Sequence, residues 1–84
     1  MAMDFKLKLS KGIIEKGKQS MPFFKFTFAS LSRFCEHDWG DTEPEDMAIN
    51  NTNPLHATAI YRSSAGALKI QRDSTYATVT LLTE

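Results

Sequence analysis

The chain has 84 residues, enough for one domain with a single core that buries about 60% of the surface exposed by the unfolded chain. Ten basic residues balance ten acidic ones, so no overall charge draws the molecule onto nucleic acid or an anionic membrane, and no acidic excess makes it a polyanion mimic. The one cysteine, Cys35, excludes an internal disulfide and a cysteine-rich zinc site; no apolar run approaches the roughly 20 residues of a membrane span, and no apolar leader opens the chain. The expectation is a soluble, cytoplasmic protein.

At the N-terminus, Phe5, Leu7 and Leu9 alternate with Lys6 and Lys8, the period of two of a strand with one buried and one wet face. Gly12 and Gly17 bracket a short apolar pair, and Lys16 to Ser20 reads as a polar turn. Beyond Pro22, the residues Phe24, Phe28, Leu31 and Cys35 recur at spacings of four, three and four, which predicts a helix over Thr27–His37 with Phe28 and Leu31 in the core. Phe24-Lys25-Phe26-Thr27-Phe28 also alternates as a strand would, leaving the start of that helix open.

Thr42-Glu43-Pro44-Glu45 has the form of a capping box, with Thr42 as N-cap and Glu45 reaching back, and predicts a second helix that Asn50-Asn51-Thr52-Asn53-Pro54 ends near Asn51. Strand-forming residues follow at 57–62, 67–72 and 75–83, separated by Ser63-Ser64-Ala65-Gly66 and Asp73-Ser74. The whole reads as a single α+β domain over residues 1–84, an antiparallel sheet of three to four strands with two helices packed on one face.

Charge is balanced in total and uneven along the chain. Met1 to Phe34 holds seven basic against two acidic residues, a balance of +5, whereas Cys35 to Asp46 holds six carboxylates and no Lys or Arg. A segregation this sharp suits a docking surface for a basic partner, and the acidic first turn of the second helix equally suits a helix dipole.

The densest cluster of reactive side chains, Cys35-Glu36-His37-Asp38-Trp39-Gly40-Asp41, fails the tests for catalysis and metal binding. Zinc needs a second ligand pair, and only His56 stands elsewhere. The EF-hand spacing is absent. Cys35 and His37, two apart on a helix, point to different sides, and Cys35 falls on the apolar stripe where a thiol is inert. With no glycine-rich phosphate loop and no hydrolase motif, the expectation is a non-enzymatic protein without cofactor or metal. Six carboxylates beside the only Trp make Glu36, Asp38, Trp39, Asp41 and Glu43 the candidate binding residues, since Trp anchors hot spots and charges steer association. The alternative is a nucleic-acid-associated protein using the lysine-rich N-terminal segment and Phe23-Phe24-Lys25-Phe26.

Leu31-Ser32-Arg33-Phe34, Asp38-Trp39-Gly40-Asp41, Glu43-Pro44-Glu45-Asp46 with Asn50, Tyr61 in a strand and Thr78-Val79-Thr80-Leu81-Leu82 together resemble a family of small proteins carried by plasmids, integrative elements and phages. The resemblance covers about Leu31 to Leu82 and departs at His37, where a Gly usually precedes D-W-G, and at Asp73-Ser74-Thr75-Tyr76. It implies an α+β fold and a mobile-element setting, with no established reaction. The functional expectation is inhibition of a bacterial defence system by contact with a host protein, a CRISPR effector or restriction enzyme, without a membrane partner.

Overall fold

A computed structural model describes residues 5–83; the N-terminal tetrapeptide, on which part of the leader expectation rests, lies outside them. The first strand, β1 (Lys6–Leu9), stops at Ser10, whose hydroxyl oxygen accepts the Ile13 N–H at 3.2 Å and so opens a helix, α1 (Lys11–Gln19). The polar turn expected at Lys16–Ser20 is therefore the end of a helix. Gly12 and Gly17 are carried inside it, and Lys16 and Lys18 in its last turn suit the negative end of its dipole. The break falls on Ser20, which is extended (φ −141°): it closes α1 through its N–H and caps α2 (Met21–Cys35) by accepting the Phe23 N–H at 3.3 Å, with Pro22 in the first turn.

In α2 the buried row is Phe23, Thr27, Ser30, Leu31 and Phe34. The predicted stripe lies one residue round the helix, and two of its members turn outward: Phe24 and Phe28 are 47% and 43% exposed, while Leu31 is buried as expected. The error has a physical source. Thr27 and Ser30 read as polar, yet each hydroxyl donates to the carbonyl four residues back (Phe23 O, 2.9 Å; Phe26 O, 2.8 Å), so both enter the core with their hydrogen bonds made.

A third helix, α3 (Pro44–Thr52), starts at Glu43, followed by a 3₁₀ turn (Pro54–His56) and three strands, β2 (Thr58–Ser63), β3 (Gly66–Arg72) and β4 (Tyr76–Leu81). The sheet order is β1-β4-β3-β2. The last three strands form the expected antiparallel meander, but β1 pairs with β4 in parallel, from Lys6 opposite Tyr76 to Leu9 opposite Val79. The sheet is thus mixed, and the fully antiparallel expectation is corrected. A chain that leaves β1 through helices crosses over the sheet face, and this route delivers parallel neighbours, whereas only hairpin links enforce antiparallel ones.

Every strand turns alternate residues to one side. Ala59, Tyr61, Leu68, Ile70, Ala77 and Val79 are fully buried there, joined by half-buried Leu7 and Leu9, and meet Ile13 of α1 with Phe23, Leu31 and Phe34 of α2 in one core. The two helices on the sheet face are α1 and α2; α3, expected to be one of them, lies beside β2 with Asn50 as its buried residue. The opposite sheet face holds Lys6, Lys8, Lys69, Arg62, Tyr76 and intervening threonines, at positions half-buried or exposed. Replacing Phe23 by Ala is expected to cost about 3–5 kcal/mol, and replacing Phe28 no more than about 1 kcal/mol; urea denaturation of the two variants checks the assignment of the buried row.

Candidate functional site

At the end of α2 the Asp38 N–H bonds to Arg33 O (2.8 Å) and the His37 N–H to Phe34 O (3.1 Å), the paired bonds of a Schellman ending, with His37 itself at φ +61°. This turn reverses the chain and lowers Trp39 into the core. The residue is 4% exposed; its ring packs edge-on to Phe34 at 5.3 Å, stacks with the His37 imidazole, and donates its indole N–H to Asn51 Oδ1 at 2.7 Å. Trp39 is therefore not available as the surface anchor expected from composition.

The neighbouring carboxylates are exposed but two of them are engaged. Asp38 receives Arg33 in a bidentate pair (2.9 and 3.2 Å) and the Gly40 N–H at 3.2 Å, and these donors, Arg33 first, hold its carboxyl below the usual aspartate range. The buried Tyr61 hydroxyl donates to the Asp38 carbonyl at 2.7 Å, and burial pushes its phenol well above its ordinary value. Gly40 (φ +66°) crosses the same ring so closely that a Cβ would overlap it and sit 2.8 Å from the Ile60 carbonyl oxygen; only glycine fits.

From Gly40 onward the segment is stitched to the outer edge of β2. The Asp41 N–H donates to Ile60 O (2.8 Å), Asp41 Oδ2 accepts the Arg62 N–H (2.8 Å), and Thr42 Oγ1 accepts the Ile60 N–H (2.9 Å) while donating to Trp39 O. Asn50 completes the row, donating from Nδ2 to Thr58 O (2.8 Å) and accepting the Thr58 N–H at Oδ1 (3.1 Å). Thr42 is thus not the helix cap: α3 has Glu43 at its N-cap without a side-chain bond, because the Thr42 hydroxyl is spent on β2. Asp41, Thr42 and Asn50 together act as a substitute strand.

Glu36 and Glu43 remain exposed, as do Glu45 and Asp46, and between described residues the ion pairs are Lys11–Glu15 (3.9 Å) and Arg33–Asp38. Among the described residues no three His, Cys, Asp or Glu side chains gather where a metal could be held. Cys35 is half-buried, and His56 is exposed in its 3₁₀ turn.

The second surface feature is one that motif reading did not supply. A groove of about 410 Å³ runs between α1 and α2, lined by Leu9, Ile14, Lys18, Met21, Phe24 and Phe28 among others. Ile14, Met21, Phe24 and Phe28 are each more than 40% exposed and contiguous, which scattered surface apolar residues are not. Two apolar rows on one helix, Phe23–Thr27–Leu31 and Phe24–Phe28, were the available sign that α2 has more apolar surface than one core contact uses. Compared with models of known families, with curated proteins and with solved structures, the chain matches none.

Asn50→Ala strips two main-chain groups of Thr58 of their partners and is expected to lose about 1–3 kcal/mol in urea denaturation. For Asp38 the folded carboxyl titrates below its unfolded value, so its contribution to stability is present above the ordinary aspartate range and lost as pH falls below about 4. A carboxyl-detected NMR titration is expected to show this low value, and Arg33→Gln to return it toward the ordinary one.

Proposed function

We propose that this protein is a non-enzymatic binding module that inhibits a bacterial host-defence protein, a CRISPR effector or a restriction enzyme, by direct contact. The observation that carries the reading is the exposed groove of Ile14, Met21, Phe24 and Phe28: an 84-residue chain with little core to spare keeps four large apolar side chains at its surface, and contiguous patches of this kind mark protein contacts. The mobile-element setting is supported by the resemblance of Leu31–Leu82 to plasmid and phage proteins. The acidic positions Glu36 and Glu43 flank a segment whose central residues are occupied in holding β2, so they fit a steering role at the rim better than an anchoring one.

A second reading has its own observation. The sheet face opposite the helices has Lys6, Lys8, Lys69 and Arg62 among its strand residues and no carboxylate, with Lys8 Nζ 3.9 Å from the Tyr76 ring centre; this is a surface a nucleic-acid backbone would tolerate.

The test is plasmid transformation of hosts carrying an active restriction or CRISPR system, with and without the protein. Transformation is expected to rise when the wild-type chain is expressed and to fall back with the Phe24→Asp/Phe28→Asp double variant, the folded state of that variant being confirmed by circular dichroism. Co-purification of the defence protein that survives nuclease and 0.5 M salt, about the concentration at which exposed charges are screened within a few ångströms, supports protein contact. Loss of every partner on nuclease treatment favours the second reading, and no change in transformation across defence systems overturns the first.

A further inference from the structure

The two edges of the sheet are finished differently. On β2 the outward main-chain groups of Thr58 and Ile60 and the Arg62 N–H all have partners supplied by Asn50, Thr42 and Asp41. On β1 the Lys6 and Ser10 N–H groups donate inward to Thr75 O and Val79 O (2.8 and 3.0 Å), and in a parallel ladder this directs the N–H and C=O of Leu7 and Leu9 away from β4. β1 is first in the sheet order, so no strand among the described residues lies on that side. Leu9 belongs both to this edge and to the wall of the apolar groove.

A strand laid along β1 would turn alternate side chains to the two sheet faces. On one side they would meet Leu7, Leu9 and the groove with Phe24 and Phe28; on the other they would lie beside Lys6 and Lys8, both exposed, with no carboxylate among the strand residues of that face. Apolar side chains suit the first set and acidic ones the second. A second copy of this chain is a poor occupant, because β1 against its own mate opposes lysine to lysine, the arrangement by which edge strands repel their like. Building on the protein-binding reading, we infer that the open edge of β1 takes up an extended segment of a partner protein with alternating apolar and acidic residues, which adds a fifth strand and seats its apolar side chains in the α1–α2 groove. Main-chain bonds to Leu7 and Leu9 supply attachment, and the lysines select against basic or purely apolar strands.

The probe is a capped octapeptide of alternating Val and Glu, titrated into the full chain with amide NMR detection. Saturable shifts are expected at the Leu7 and Leu9 amides and around the groove. Affinity is expected to drop by about tenfold or more when the peptide is N-methylated on the residues that face β1, since each lost main-chain bond removes roughly a factor of five to ten. Lys6→Glu/Lys8→Glu, changes confined to exposed side chains, is expected to reverse the preference toward a Val–Lys octapeptide. Equal binding of a scrambled peptide, indifference to N-methylation, or shifts confined to the sheet face away from Leu7 and Leu9 would overturn the inference. So would a dimer by sedimentation equilibrium that dissociates when β1 is charge-reversed. If the wild-type chain raises transformation and the charge-reversed chain raises it equally, the edge is not the contact while the inhibitory reading stands; peptide binding without any effect on transformation separates the two the other way.

Discussion

A four-stranded sheet in an 84-residue chain has two edges, and the fold depends on how the main-chain groups of β2 are satisfied. Among the described residues no fifth strand does it. Instead Asn50, Thr42 and Asp41 offer an amide, a hydroxyl and a carboxylate at the spacing of a neighbouring strand, together with one main-chain N–H of Asp41 itself. Asn50 and Thr42 are nearly inaccessible, so their bonds are made out of competition with water and losing either partner would strand a buried polar group. The position of α3 follows from this requirement, because its one buried residue is the asparagine that reads Thr58.

The same requirement explains the chemistry packed into residues 35–42. To bring Asp41 and Thr42 alongside β2, the chain must turn sharply out of α2, and it does so through a left-handed residue, a buried Trp and a glycine pressed against Tyr61. His37 occupies the left-handed position (φ +61°) where a glycine is the unstrained choice, and its imidazole stacks on the Trp39 ring at 5.2 Å. Arg33 ties the turn to its helix through Asp38 and covers the Tyr61 ring at 5.3 Å.

Much of this architecture can be read from the residues. The alternation at Leu7 and Leu9, the helix through Leu31, the Asn50–Pro54 stop and the three strands of the meander all follow from local pattern, and the α+β class with them. What escaped pattern was decided by hydrogen bonds that cross the chain. Thr42 and Glu45 satisfy a capping-box template, but the hydroxyl goes to Ile60, eighteen residues on. Thr27 and Ser30 look like surface residues until their internal bonds are counted. Helix α1 was hidden by two glycines, with Ser10 its one clear signal, and the parallel placement of β1 has no local signature at all. For the candidate site, the acidic composition of residues 35–46 was plain, but composition does not distinguish a carboxylate facing solvent from one paired to a main-chain N–H, and Asp41 is the latter.

The unequal finishing of the two edges has a consequence for stoichiometry. Open-ended growth of β-structure requires each molecule to present two complementary edges, one to accept the previous unit and one to receive the next. Here the β2 side is already filled by the chain's own side chains, leaving β1 as the open edge among the described strands. With one edge filled and one open, the described sheet offers a strand-adding association a single step and no second edge from which to repeat it.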